Sequence, residues 1–286
     1  MKLIRFGEEG KEHPGILDKQ GRRWDCSGFG EDWNEAFFRE DGLERLSSWL
    51  KIHQNSLPEI SEDLRLGPPV ARPSKIICVG LNYSKHAQEA GMAVPEVPIL
   101  FMKASSALCG PNDPIYLPKN SKQTDWEVEL AFVVGKRAKY VPKEKAYDYI
   151  AGYCLHNDVS ERDFQLRQGG QWVKGKSADH FAPLGPFLAT KEEIPNPHDL
   201  PLWLKVNGKM LQNSSTSDLI FDIPTLLSYI SQFMTLLPGD IVSTGTPSGV
   251  GMGLPEPQYL KVGDLVELGI EGLGKSSQHV LLDPEA

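Results

Sequence analysis

Residues Thr124–Gly135, TDWEVELAFVVG, decide how this chain is to be read. β-Branched and aromatic residues alternate through the stretch and a glycine closes it, the pattern of a β-strand. Side chains two apart on a strand share a face. Trp126, Val128, Leu130, Phe132 and Val134 therefore fall on one face, and Glu127, Glu129, Ala131 and Val133 on the other. Two carboxylates stand side by side on a face that continues as Ala and Val. If buried, they repel each other and lose hydration unless a positive charge sits between them. If the strand is an edge, they line a solvated face instead.

Outward from this stretch, further strands are expected in KIICVGLN, ILFMKAS, YIAGYCLHND, LWLKVNGKMLQ, DIVSTG and DLVELGIEG, with Asn207-Gly208 as a hairpin turn. PGDIVSTG and VGDLVELG resemble each other, each a Gly-Asp turn followed by an apolar strand. Helices are few: HAQEAG, SERDFQLRQGG and FDIPTLLSYISQFM. The N-terminal part reads as a small β-rich module. KLIRF is a strand, HPGILDKQGRRWDC a hairpin turning at Asp18–Gly21, and WNEAFF and GLERLSSWLKIHQ are helical. A proline-bearing extended segment, LPEISEDLRLGPPVARPSK, follows. The expected organisation is a small domain with its linker over 1–72 and a main domain over 73–286. The fold class is mixed α+β and β-rich.

Bulk properties exclude several classes. The 286 residues are 40% hydrophobic and 24% charged, which is ordinary globular composition. A net charge of -8 and a pI near 5.4 argue against nucleic acid and anionic membrane as partners. No apolar run reaches spanning length. The start, MKLIRFGEEG, lacks a signal-peptide core, so a cytoplasmic protein is expected. Cys26, Cys78, Cys109 and Cys154 form no C-x-x-C pair, which disfavours a zinc knuckle and fits a reduced compartment.

The strand IAGYCLHND ends in Asp158. With Glu127 and Glu129 it makes an all-oxygen set of three carboxylates, the donor type preferred by Mg²⁺ or Mn²⁺ rather than zinc. Asp158 is equally readable as a turn or helix-cap residue ahead of Ser160 and Asp163. On the following helix Arg162 and Gln165 share a face, suited to an oxyanion or to solvent. His86 and Glu89, also one turn apart, make a candidate water-activating pair or an exposed helical ion pair. Gly80 and Gly91 bracket that segment as hinges of a lid. Gly170–Ser177, GQWVKGKS, matches the phosphate-loop pattern letter for letter, but a helix precedes it and breakers follow, the wrong context for that loop. Thr244–Gly253, TGTPSGVGMG, reads as a backbone-lined turn suited to a substrate carboxylate.

Together GLNYSKHAQE, PILFMKASSALCGPNDPI, the E-x-E of DWEVELAFVVG, AGYCLHNDVSERDFQ, GKSADHFAPLGP and PGDIVSTGTPSGVG resemble the fumarylacetoacetate hydrolase family, in its order, from about residue 74 onward. The resemblance implies a β-roll-like fold, usually homodimeric, with Glu127, Glu129 and Asp158 as ligands of Mg²⁺ or Mn²⁺. It implies His86 and Glu89 as the lid dyad, Lys176, Arg162 and Gln165 as catalytic partners, and Tyr83, Lys103, Gly245 and Thr246 as substrate contacts. The implied reaction is hydrolysis of the C3–C4 bond of a 2,4-diketo acid to pyruvate and a second acid. The N-terminal module, FMKASSALCGPND and QGGQW look most like the bacterial branch of 2,4-diketo-3-deoxy-L-fuconate and L-rhamnonate hydrolases, whose members are often labelled ureidoglycolate lyase. Oxaloacetate decarboxylation uses the same site type. The segment SADHF departs from the family pattern.

Overall fold

The computed structural model describes residues 1–89, 91 and 93–286. Ala90, at the end of the expected HAQEAG helix, lies outside the described residues; the helix runs Ser84–Glu89.

Strand Val128–Val134 lies inside an eleven-stranded sheet, antiparallel to Ile150–Asn157 on one side and to Ile241–Ser243 on the other. All its residues are buried, as expected for a central strand covered on both faces. Past Ile241–Ser243 come Ile76–Gly80, running parallel, and Ile99–Lys103. In the other direction the sheet continues through Leu188–Thr190 to Lys2–Phe6, His13–Leu17 and Arg23–Asp25. The N-terminal module is thus hydrogen-bonded into the same sheet as the rest of the chain, across residues 72 and 73. The proline-bearing segment runs along it, with Glu59–Ile60 and Leu66–Gly67 pairing to Arg23–Asp25 and Lys2–Phe6.

The single strand expected over 124–135 is broken. Thr124–Asp125 pairs with Ser160–Glu161, and the ladder resumes at Val128 opposite Asn157. Side chains satisfy the backbone in the gap: Asn157 Oδ1 accepts the Glu127 N–H at 3.1 Å and Gln212 Oε1 accepts the Val128 N–H at 2.9 Å. The register is unchanged across the break. Glu127 therefore stands opposite Asp158, whose N–H donates to the Glu127 carbonyl at 2.9 Å, and Glu129 stands opposite His156.

A second sheet of five strands orders Lys209–Ser215, Pro201–Val206, Leu265–Ile270, Gly274–Leu282 and Ile115–Leu117. Its hairpin turns at Asn207 and Gly208, whose φ values of 51° and 77° are those of a primed turn. Leu202, Leu204, Val266 and Leu268 are buried in one core with Leu130 and Phe132 of the large sheet. The two similar Gly-Asp phrases enter different sheets, one at Ile241 and the other at Leu265, so they do not form a repeat within one sheet. The architecture is the expected sheet-rich α+β mixture. No helix among the described residues is long and apolar enough to cross a membrane.

Trp33 anchors the N-terminal strands. It is fully buried, its indole N–H donates to the Ile4 carbonyl at 2.8 Å, and its ring packs on Phe37 at 4.7 Å. Trp33→Ala is expected to lower unfolding free energy by about 3–5 kcal/mol, measured by urea denaturation. A loss near zero would show that this module adds nothing to global stability.

Candidate active site

The site grows from one face of the large sheet. Ser243 pairs with both Ala131 and Cys78, and Glu129, two residues from Ala131, is opposite His156. Alternation then puts Glu127, Glu129, His156 and Asp158 with Ser243 and Cys78 on that face. Glu127, Glu129 and Asp158 bring carboxylate oxygens within 4.8 Å of one another. Their residues are 5%, 1% and 0% exposed, which rules out the solvated-edge reading.

Three cations surround them. Lys176 Nζ donates to Glu127 Oε2 and Asp158 Oδ2, both at 2.9 Å. Lys103 Nζ lies 2.5 Å from Asp158 Oδ1 and donates to the Val159 carbonyl at 2.9 Å. Arg162 binds Asp125 through Nε at 2.7 Å, Glu127 through Nη2 at 2.5 Å, and Gln165 Oε1 through Nη1 at 3.0 Å. Glu129 differs: among the described residues it accepts only from the Ser243 hydroxyl and, at 3.0 Å, the Gly245 N–H, both neutral donors.

Burial, then the Asp158 and Glu127 charges, push the Glu129 carboxyl well above its ordinary range. Burial also acts upward on Asp158, but the Lys103 and Lys176 ammoniums outweigh it and hold that group low. Burial pulls the Lys103 ammonium down despite Asp158. It acts the same way on Lys176, where Asp158 and Glu127 prevail and the net shift is upward. Asp125 is raised to about 6 by burial, with Arg162 opposing.

These residues fit a divalent cation on the triad. The donors are all oxygens, the type a hard ion takes. Among the described residues Glu129 has no cationic partner. Asp158 Oδ1 is buried without a hydrogen bond, because the Lys103 ammonium approaches it outside hydrogen-bonding geometry.

A cavity of about 170 Å³ opens on Glu127 and Glu129 and is walled by His86, Arg162, Gln165, Trp172, Lys176 and Thr246, among others. His86 and Arg162 are 7% and 4% exposed, so neither belongs to a solvated helix face. His86 Nδ1 lies 3.3 Å from Glu89 Oε2, and both Glu89 oxygens accept the Gly249 N–H, at 2.9 and 3.1 Å. The helix Ser84–Glu89 is thereby tied down over the TGTPSGVG turn. Gly245 in that turn has φ of 101°, and a Cβ there would meet Asn82 Cβ at 2.8 Å. Its backbone conformation and the close approach of Asn82 both require glycine, and its N–H serves Glu129.

The remaining expected substrate contacts are placed differently from one another. Thr246 reaches the cavity, but its hydroxyl donates to the Val128 carbonyl at 3.0 Å and accepts from Gln212 Nε2 at 2.8 Å. Gly245 spends its N–H on Glu129. Lys103 is engaged with Asp158 behind the cavity wall. Tyr83 is buried, and its hydroxyl has no partner among the described residues. In the phosphate-loop lookalike, Val173–Lys176 is a single helical turn and Lys176 pairs with carboxylates.

Sequence reasoning missed four contributors. Asp125 extends E-x-E to D-x-E-x-E, a signal present in the letters. Gln212 splices the broken strand to the Thr246 turn. His156 Nδ1 lies 2.7 Å from Ser243 Oγ, which donates to Glu129. Because Ser243 gives its proton to Glu129, His156 must donate from Nδ1. Burial lowers this imidazole to about 3, so it is neutral. Glu161, fully buried, accepts from Ser121, Thr124 and Gln123 and fastens the mouth of the site.

Comparison with known proteins places this geometry. Residues 75–281 match the fumarylacetoacetate (FAA) hydrolase C-terminal family model. A relative from Burkholderia lata, named as a hydrolase with no substrate given, is 49% identical over 98% of each chain. The fumarylacetoacetate hydrolase of Exiguobacterium antarcticum superposes with a TM-score of 0.85 at 32% identity, over 99% of this chain and 100% of that one. Maleylpyruvate hydrolase from Sphingobium sp. SYK-6, solved with manganese(II) and pyruvate, gives 0.82 at 30% identity over 99% of both chains. A buried acid triad on a sheet face, a cavity above it and matches spanning nearly the whole chain lead to one assignment: the chain belongs to the fumarylacetoacetate hydrolase family.

Proposed function

We propose that this enzyme hydrolyses the C3–C4 bond of a 2,4-diketo acid, releasing pyruvate and a second acid, with Mg²⁺ or Mn²⁺ held by Glu127, Glu129 and Asp158. The observation that carries the reading is the sharing of one small cavity by two triad carboxylates and by His86. When bound, the divalent ion supplies the positive charge that makes the enolate of a 2-keto acid a tolerable leaving group.

This chain's residues do the rest. His86, oriented by Glu89, takes a proton from water at Nε2 as the water oxygen bonds to C4. Arg162 holds Gln165 by its carbonyl oxygen, which turns the Gln165 amide NH₂ toward the cavity as a donor for the C4 oxyanion. Lys176 adds positive charge beside it. The C3–C4 bond then breaks, its electron pair passing to C3. The imidazolium returns its proton to C3, giving the methyl group of pyruvate.

The substrate class proposed first is the 2,4-diketo-3-deoxy sugar acids. The cavity volume of about 170 Å³, below the roughly 300 Å³ at which ligand clefts usually begin, favours a second reading, decarboxylation of the smaller oxaloacetate. Coupled detection of pyruvate from a diketo-deoxy sugar acid, an acylpyruvate and oxaloacetate, with Mg²⁺ present, separates the two. Release from the diketo acids is expected. Release from oxaloacetate alone would replace hydrolysis by decarboxylation, and silence on all three would reject the pyruvate-forming class.

A further inference from the structure

Away from the acid triad, Cys109, Asp113 and His180 form a second buried cluster whose donor atoms lie within 4.8 Å of one another. The chain assembles it deliberately: Leu108–Cys109 pairs in parallel with Ala182–Pro183, just after His180. His180 belongs to the SADHF segment. It holds a left-handed backbone, φ 61°, that non-glycine residues adopt at a cost, and its ring packs on Tyr116 at 4.6 Å.

The hydrogen bonds around His180 leave a mismatch. Nδ1 faces the Pro114 carbonyl at 2.9 Å, so Nδ1 is the donor. In the neutral ring, Nε2 then points its lone pair at Glu9 Oε1, 3.2 Å away. Two acceptors face each other, which calls for a cation or a second proton between them. An imidazole whose Nδ1–H is fixed by a carbonyl is also the usual second-sphere arrangement of a metal-binding histidine. The Cys109 thiol has no hydrogen bond among the described residues. Burial, together with the Asp113 and Glu9 carboxylates, keeps it protonated in the absence of a cation. Asp113 Oδ2 is filled by Arg65 Nη2 and the Gly110 N–H, both at 2.6 Å, but Oδ1 receives Arg65 Nε at 2.7 Å and keeps a second lone pair for an ion. Glu9 and Cys109 border a cleft of about 390 Å³ that gives an ion a way in.

We infer that Cys109, His180 and Asp113 form a second metal site, for a borderline-soft divalent ion such as Zn²⁺, which the mostly exposed Glu9, 3.2 Å from His180 Nε2, closes by swinging in. One thiolate, one imidazole and one carboxylate are already gathered, and the Glu9 carboxylate would complete a closed four-ligand set, the composition of a structural rather than a catalytic site. Binding releases the Cys109 proton to solvent. The ion would clamp the turn carrying Glu9, which joins the first two strands, onto the main body.

The all-oxygen triad and this thiolate site are spectroscopically distinct, so Co²⁺ titration of the full chain, with excess Mg²⁺ filling the triad, tests the inference. A thiolate-to-cobalt charge-transfer band saturating at one ion per chain is expected, reversed by Zn²⁺. The band should vanish in Cys109→Ser and persist in Glu129→Gln. In Glu9→Gln, a surface change that leaves folding intact, affinity should fall about tenfold or more. If Cys109→Ser fails to fold, His180→Asn supplies the same reading. Absence of the band in folded wild-type protein, or its survival in Cys109→Ser or His180→Asn, would overturn the site.

Discussion

Glu129→Gln is expected to reduce turnover by roughly a thousandfold or more and at the same time raise the thermal stability of the metal-free protein. Both effects follow from one arrangement. Glu127 and Asp158 share Lys176, and each has a second cation, Arg162 or Lys103. Glu129 has only the Ser243 hydroxyl and the Gly245 N–H. In the absence of an ion its buried carboxyl faces two carboxylates and folds at the cost of taking up a proton, and a neutral amide removes that cost of about 1–3 kcal/mol. With the ion present, the same carboxylate is the ligand that no lysine competes for, so its loss falls hardest on metal affinity. Calorimetry on the EDTA-stripped variant and wild type, beside turnover in Mg²⁺, measures both. A variant that loses activity and also stability would mean that Glu129 is a structural acceptor rather than a site built for a cation.

His86→Asn should lower kcat by about 10² to 10⁴, the usual contribution of a general base, while leaving metal affinity and stability close to wild type. Among the described residues the histidine is held from one side only. Glu89 fixes Nδ1, and Glu89 is itself pinned by the Gly249 N–H. Nε2 is left for water. Asparagine keeps a polar group of similar reach to Glu89 but cannot take the proton. Glu89→Gln, which loosens the imidazole without removing it, should cost less, about tenfold. Near-normal kcat in His86→Asn would remove His86 from the reaction, and an equal loss of Mn²⁺ affinity would reassign it to the metal environment.

The sequence made part of this site readable. The alternation in TDWEVELAFVVG placed Glu127 and Glu129 together, and the apolar strand ending at Asp158 placed the third carboxylate at a strand end. Their meeting was not readable, because it depends on the register of 124–134 against 150–161, a long-range property that local periodicity does not carry. The strand break at Trp126–Glu127 was equally hidden. It arises from Asn157 and Gln212, side chains that replace ladder bonds from a distance. Strand Gly274–Leu282 went unread for a related reason: its inward positions include Ser276 and Gln278, so its pattern looks polar where it is buried. The phosphate-loop letters of Gly170–Ser177 show the opposite failure, a motif without the strand and helix that give it meaning. Asp125 was legible as the first letter of D-x-E-x-E. Its burial under Arg162 follows only from the fold.

The central claim is that Glu127, Glu129 and Asp158 hold a divalent ion beside a keto-acid cavity. The most direct measurement is Mn²⁺ binding to the stripped protein, followed by the loss of the free-ion paramagnetic resonance signal, with and without pyruvate. One ion per chain is expected, bound about tenfold or more tightly when pyruvate is present, with both effects absent in Glu129→Gln. Mn²⁺ binding that is undetectable in the folded protein, or unchanged by pyruvate and by Glu129→Gln, would contradict it.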